Sequence, residues 1–82
     1  GNKRGIANTL GNIGAVYYNL ADYAKSLEYQ YKSLAIRKEI NDSKGISLSL
    51  GNIAIIYEVQ GNHKKALEIQ FESLKLKEPF RS

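Results

Sequence analysis

Eighty-two residues, 43% of them hydrophobic and 24% charged, describe one small globular domain and exclude a disordered or fibrous chain. Disulfides, thiolate nucleophiles and cysteine metal sites are excluded because the chain has no cysteine. The net charge of +4 comes from Lys and Arg distributed from Lys3 to Arg81, Arg37 among them, and it reads as solvated surface rather than as a nucleic-acid or anionic-membrane footprint.

The first predicted element is a helix over about residues 4–20. Ile6, Leu10, Ile13, Tyr17 and Leu20 follow i, i+4, i+7, i+11 and i+14, a single apolar stripe expected to face the core. Inside it stands "LGNI", residues 10–13. Glycine costs about 1 kcal/mol in a helix interior and asparagine about half that, so packing or binding must favour the pair. "LADY", residues 20–23, turns the chain, with Asp22 as the next N-cap. If the turn is left-handed at Ala21, that residue carries strain of about 1 kcal/mol.

A second helix is expected over about 23–40. Leu27, Tyr31 and Leu34 lie on one side and Tyr29, Ile36 and Ile40 nearly opposite, so the helix must be sandwiched. Its remaining side, Lys25, Glu28, Lys32 and Glu39, is charged and holds the i, i+4 pair of Glu28 and Lys32. "NDSKG", residues 41–45, then offers Asp42 or Ser43 as the cap of a third helix over about 43–60. There Ile46, Leu50, Ile53 and Tyr57 repeat the first stripe, and "LGNI" recurs at 50–53. Gly61 ends that helix and Asn62 caps a fourth over about 63–78, which Pro79 stops.

The recurrence is general. Shifting the chain by forty superposes Gly5, Ile6, Leu10 to Ile13, Tyr17, Lys25, Leu27, Glu28, Gln30, Ser33 and Leu34 on identical residues. Self-similarity at such a period marks stacked units, none of which can bury its apolar face alone. The whole chain, 1–82, is therefore one domain, with a first unit over about 5–44, a second over about 45–78 and a tail at 79–82. "GNKRGI" stands in the same phase as "NDSKGI", which leads to the expectation of a preceding unit. Two units without caps are expected to self-associate, and "EINDSKG", which lacks proline, allows domain swapping by fusion of the second and third helices.

Catalytic chemistry is not expected. His63, the only histidine, sits in a turn with no second histidine or carboxylate cluster, so neither a metal site nor a general base is assigned. Glu28, Glu39, Glu68 and Glu72 read as solvated, and Ser26, Ser33 and Ser73 lie at tight helix contacts without a base. The glycines form no phosphate loop, and no cofactor is implied. No apolar run approaches a membrane span and no signal-peptide pattern opens the chain, so a soluble protein is expected, with the cytoplasm favoured.

Small residues at Gly14 and Ala54, aromatics at Tyr17 and Tyr57, and the stretches "LADYAKSLEYQYKSL" and "QGNHKKALEIQFESL" give the chain a pattern that resembles the tetratricopeptide repeat in its forty-residue variety. It departs at Gln30 and Gln70, where an aromatic is usual, and at Ser26, where alanine is. The resemblance implies an all-α fold, a right-handed α-solenoid of two antiparallel helix-turn-helix repeats whose leading helices line a concave groove. It implies a protein-interaction scaffold that binds a peptide or a partner helix there, rather than an enzyme or a nucleic-acid binder. It also permits the input segment of a larger signalling enzyme or transcription regulator, as in bacterial regulatory arrays. In that fold Asn8, Asn12, Ala15 and Asn19 would face the groove from the first unit, with Leu48, Asn52, Ile55 and Val59 from the second. Two readings of the Gly-Asn pair then stand side by side. Asn12 and Asn52 either meet a ligand or hydrogen-bond a neighbouring helix, and Gly11 and Gly51 either leave room for that ligand or let backbones approach.

Overall fold

The computed structural model describes residues 2–77, which form four helices: α1 (Lys3–Asn19), α2 (Tyr23–Glu39), α3 (Ser43–Val59) and α4 (His63–Lys77). Among the described residues there is no strand. The expected stop at Pro79 and the tail at 79–82 lie outside them.

Each helix begins on an Asn or Asp whose carboxamide or carboxylate oxygen accepts the backbone N–H three residues on. The pairs are Asn2 with Gly5 at 2.9 Å, Asp22 with Lys25 at 3.2 Å, Asp42 with Gly45 at 3.1 Å and Asn62 with Lys65 at 3.2 Å. One orphan donor of every first turn is thereby satisfied. Helix ends are equally uniform. Ala21, Asn41 and Gly61 adopt φ of 64°, 55° and 82°, and each donates its N–H to the carbonyl three residues back. The following residue, which is the next N-cap, donates to the carbonyl five back: Asp22 to Tyr17, Asp42 to Arg37 and Asn62 to Tyr57, all within 2.9 Å. These are Schellman closures, and each leaves only three residues between helices. The strain expected at Ala21 is present. Asn41, which the sequence reading passed over, takes the same left-handed geometry.

Successive helices pack as neighbours, α1 on α2, α2 on α3 and α3 on α4, in a slab with Cα extents of 42 × 36 × 13 Å. The apolar core lies where the units meet. Leu34 from α2, Leu50, Ile53 and Ala54 from α3 and Ile69 from α4 are buried, with Leu27, Ile46 and Tyr57 packed against them. Side chains as completely buried as Leu50, Ile53 and Ile56 contribute about 1.5–3 kcal/mol each. The stripe expected to be core on α1 is not. Ile6 is 52% exposed and Leu20 68%, and Leu10 is only partly buried although its counterpart in α3, Leu50, is 1% exposed. The difference is the neighbour: α2 covers the stripe of α3, whereas no described helix precedes α1.

Hydrogen bonds hold α1 on α2. Ser26, Gln30, Ser33 and Arg37, at i, i+4, i+7 and i+11, form a buried polar stripe on α2. Ser26 Oγ donates to the Gly14 carbonyl at 2.7 Å, Gln30 Nε2 to Gly11 at 3.1 Å and Ser33 Oγ to Ala7 at 2.7 Å. Such contacts require backbone approach. A Cβ on Gly14 would lie 2.9 Å from Gln30 Nε2 and 3.1 Å from its Cγ. In the second unit Ala54 and Ala66 stand at the positions of Gly14 and Ser26, and both are buried without the hydrogen bond that the serine makes.

Arg37 corrects the surface reading of the basic residues. It is 5% exposed, because its guanidinium reaches between α1 and α3. Nη1 donates to Ser49 Oγ at 2.7 Å and to the Gly45 carbonyl at 3.3 Å, and Nη2 donates to Asn8 Oδ1 at 3.0 Å. The other basic residues behave as expected where ion pairs form. Glu28 and Lys32 meet at 3.3 Å, Lys38 and Glu72 at 3.5 Å, and Lys3 meets Glu39, all at the surface.

Candidate functional site

The α1 and α3 helices share one surface, on which two adjoining depressions are found. One, of about 150 Å³, is lined by Ala15, Tyr18 and Asn19 of α1 and by Asn52, Ile55 and Ile56 of α3, with Ser26 and Gln30 of α2 contributing from behind. The other is lined by Asn8, Gly11, Asn12 and Ala15, by Leu48 and Asn52, and by Arg37. Ala15 and Asn52 belong to both, so the two form one continuous groove.

Spacing explains the arrangement. Asn8, Asn12, Ala15 and Asn19 recur at i, i+4, i+7 and i+11 and therefore occupy one side of α1. Leu48, Asn52, Ile55 and Val59 repeat that spacing on α3. The structure brings seven of these residues to the groove. Val59, on the last turn of α3 and 47% exposed, lines neither depression. The sequence reading missed Tyr18, Gln30 and Arg37. A signal existed for the last two, since they belong to the polar stripe of α2, whose helical spacing matches that of an apolar face.

The asparagines differ in state. The Asn8 carboxamide oxygen is engaged by Arg37 at 3.0 Å. Among the described residues, no hydrogen bond is made by the side chains of Asn12 or Asn52, whereas Ser26, Gln30, Ser33 and Arg37 supply the bonds between helices. Gly11 and Gly51 do not serve close packing either. A Cβ on Gly11 would meet Ser33 Oγ at 3.7 Å and Gln30 Oε1 at 3.9 Å, ordinary contacts, and one on Gly51 would meet nothing within 4 Å. In the second unit the wall is apolar, with Leu48 56% and Ile55 53% exposed.

Arg37 lies at one end of the groove, and the acceptors it hydrogen-bonds among the described residues are all neutral. Gln30 Oε1 is buried without a hydrogen-bond partner among the described residues. The surface thus combines free carboxamides, exposed aliphatic side chains and a recessed positive charge. It has the means to bind and lacks a nucleophile with its base. His63 Nδ1 lies 2.6 Å from Glu58 Oε2 at the exposed joint of α3 and α4, apart from the groove. Among the described residues, no group of three or more His, Asp and Glu is placed to hold a metal, and no helix is long and apolar enough to cross a membrane.

No curated protein and no solved structure matches the chain. A family model described as tetratricopeptide repeat matches residues 5–78, nearly the whole sequence and both helical hairpins. With that match added to the four helices and their forty-residue repetition, the chain belongs to the tetratricopeptide repeat family.

Proposed function

We propose that the groove between α1 and α3 binds a peptide segment or a partner helix, with Asn12 and Asn52 as the polar anchors and Leu48 and Ile55 as the apolar wall. Tetratricopeptide repeats generally mediate protein–protein interaction. The observation that carries the reading to this surface is the pair of Asn12 and Asn52, forty residues apart in sequence, lining one groove with carboxamides that no described residue engages. Each carboxamide can donate to a carbonyl and accept from an N–H, which suits a peptide backbone. Gly11 and Gly51 leave the space beside them open. Recognition is then steric and hydrogen-bonding complementarity on a rigid wall. The same reading serves an array that forms the input segment of a signalling enzyme or transcription regulator, because the groove would then take the regulating peptide.

A displayed library of linear peptides selected on the chain supplies the probe. Selected peptides should bind the double variant Asn12→Ala, Asn52→Ala at least about tenfold more weakly, the loss expected from about 1.4 kcal/mol of hydrogen bonding. Circular dichroism should show unchanged helicity. Equal affinity for the variant, or a library that yields no binder competed by groove substitutions, rejects the groove as the site.

A further inference from the structure

We propose that the groove takes an acidic side chain of the bound segment, its carboxylate seated against Arg37 between α1 and α3. This rests on the groove as a peptide site and adds the chemistry of the ligand. Of the described residues that line the two depressions, Arg37 alone is charged. It reaches them from α2, behind the groove, and is 5% exposed. Three of the five guanidinium N–H groups are used, two on Nη1 for Ser49 Oγ and the Gly45 carbonyl and one on Nη2 for Asn8 Oδ1. The second Nη2 proton and the Nε proton remain. Nη2 stands on the groove side. It bonds Asn8 and lies 4.0 Å from the place of a Gly11 Cβ, and Asn8 and Gly11 line the same depression as Arg37.

Neutral dipoles hold this cation in place. Asp42, at the start of α3, accepts the Gly45 N–H as a helix cap, and the ion pairs among the described residues are made by other groups. A recessed cation attracts an anion more strongly than a solvated one, because the dielectric around it is lower. Its hydrogen bonds to a carboxylate are charge-assisted. Asn12 and Asn52 line the same depression, and an N–H from either carboxamide can meet the second carboxylate oxygen. The recess also selects the source of the anion. Arg37 is nearly covered, so the carboxylate that reaches it projects from the bound segment on a side-chain stem, while the backbone of that segment runs at the level of the asparagines. Glu or Asp fits this description better than a peptide's terminal carboxylate. An apolar neighbour of the acid then enters the adjoining depression of about 150 Å³, beside Tyr18 and Ile55.

Peptides selected from a displayed library on the parent chain, and weakened by Asn12→Ala, Asn52→Ala, are the probe. They should be enriched in Glu or Asp. In a synthetic, C-terminally amidated peptide, exchange of that acid for its amide should weaken binding at least about tenfold, read by fluorescence anisotropy. Asn8→Asp tests the subsite with the fold preserved, since the side chain is exposed and its contact with Nη2 is retained. The variant sets its own carboxylate against Arg37. It should bind the acidic peptide about tenfold more weakly than the parent does and the amide peptide about equally well. Asn19→Asp adds the same charge in the other depression and should cost the acidic peptide no more than about threefold. Groove binders without an acid, an amide peptide bound as tightly as the acidic one, a requirement for a free C-terminus, or equal losses from Asn8→Asp and Asn19→Asp overturn this inference and leave the groove as a peptide site. A library without any binder sensitive to Asn12→Ala, Asn52→Ala removes the groove as the site, and the acidic subsite with it.

Discussion

Arg37 and Asn8 are joined by a 3.0 Å hydrogen bond that ties the last turn of α2 to the groove-facing side of α1. The same guanidinium binds Ser49 on α3, so one side chain fixes three helices. Replacing Arg37 by alanine leaves the Ser49 hydroxyl and the Asn8 oxygen without their donor and removes the packed stem. The expected cost is roughly 2–4 kcal/mol, summed from the unmade hydrogen bonds. In a domain this small that is a large share of the total stability. Urea denaturation monitored by circular dichroism measures it. Methionine at the same position keeps the stem, gives up the charge and should cost less than alanine. Equal stability of Arg37→Ala and the parent chain would mean that the guanidinium does not hold the helices.

Gly11, Gly14 and Gly51 are predicted to separate by function. Gly14→Ala sets a Cβ 2.9 Å from Gln30 Nε2, and the crowding should outweigh the better helix propensity, for a net loss of about 1–2 kcal/mol. Gly51→Ala meets nothing within 4 Å and should stabilise by up to about 1 kcal/mol. At Gly11 a Cβ would lie 3.9 Å from Gln30 Oε1, the buried acceptor without a partner. Serine there carries a hydroxyl within hydrogen-bonding reach of that oxygen, so Gly11→Ser should stabilise more than Gly11→Ala. Thermal melts of the four variants give the order. A Gly14→Ala protein more stable than the parent contradicts the close approach of α1 and α2.

The three joints offer a matched comparison. Ala21 at φ 64° holds a side chain in the left-handed region that Gly61 occupies freely at φ 82°. Ala21→Gly should raise stability by about 1 kcal/mol, less the extra entropy glycine gives the unfolded chain, and Gly61→Ala should lower it by about 1 kcal/mol. For a domain of this size each change corresponds to a shift of about 4–8 °C in Tm. Shifts of the same sign for both variants would contradict a shared turn geometry.

Helix positions were legible because each N-cap is an Asn or Asp at a break in periodicity, and the capping bond spans only three residues. The left-handed turn at Ala21 was legible by comparison with Gly61, whereas Asn41 lies in a stretch that drew attention for its Asp42 and Ser43 caps. Burial of the α1 stripe could not be read. Ile6 and Leu10 stand in the same register as the identical Ile46 and Leu50, so the covering helix decides, not the residues. Arg37 was hidden for a related reason. Its partners, Asn8, Ser49 and the Gly45 carbonyl, are neutral and come from other helices, so no charge pattern marks it. At the groove, spacing alone placed seven side chains together. It could not tell that Asn8 is bound by Arg37 while Asn12 is not, since that depends on how far α2 sits behind α1.

Alkaline pH should weaken the contact between the units through Tyr31. Burial holds its phenol well above the usual tyrosine value of 10.0, and the hydrogen bond to Tyr57 adds to the shift, as do the charges of Tyr57 and Glu72. Above about pH 10 the unfolded chain loses the Tyr31 proton while the folded chain keeps it. Unfolding then releases a proton, so stability falls as pH rises from that point, and below it the contribution is constant. Because Tyr31 is 37% exposed, solvent moderates the effect. Tyr31→Phe removes both the titration and the 3.1 Å contact with Tyr57 Oη. The variant should be slightly less stable than the parent at neutral pH and should lose less stability between pH 9 and 12, which chemical denaturation at a series of pH values resolves. Parallel stability curves for the two proteins across that interval would show that the Tyr31 proton is not linked to folding.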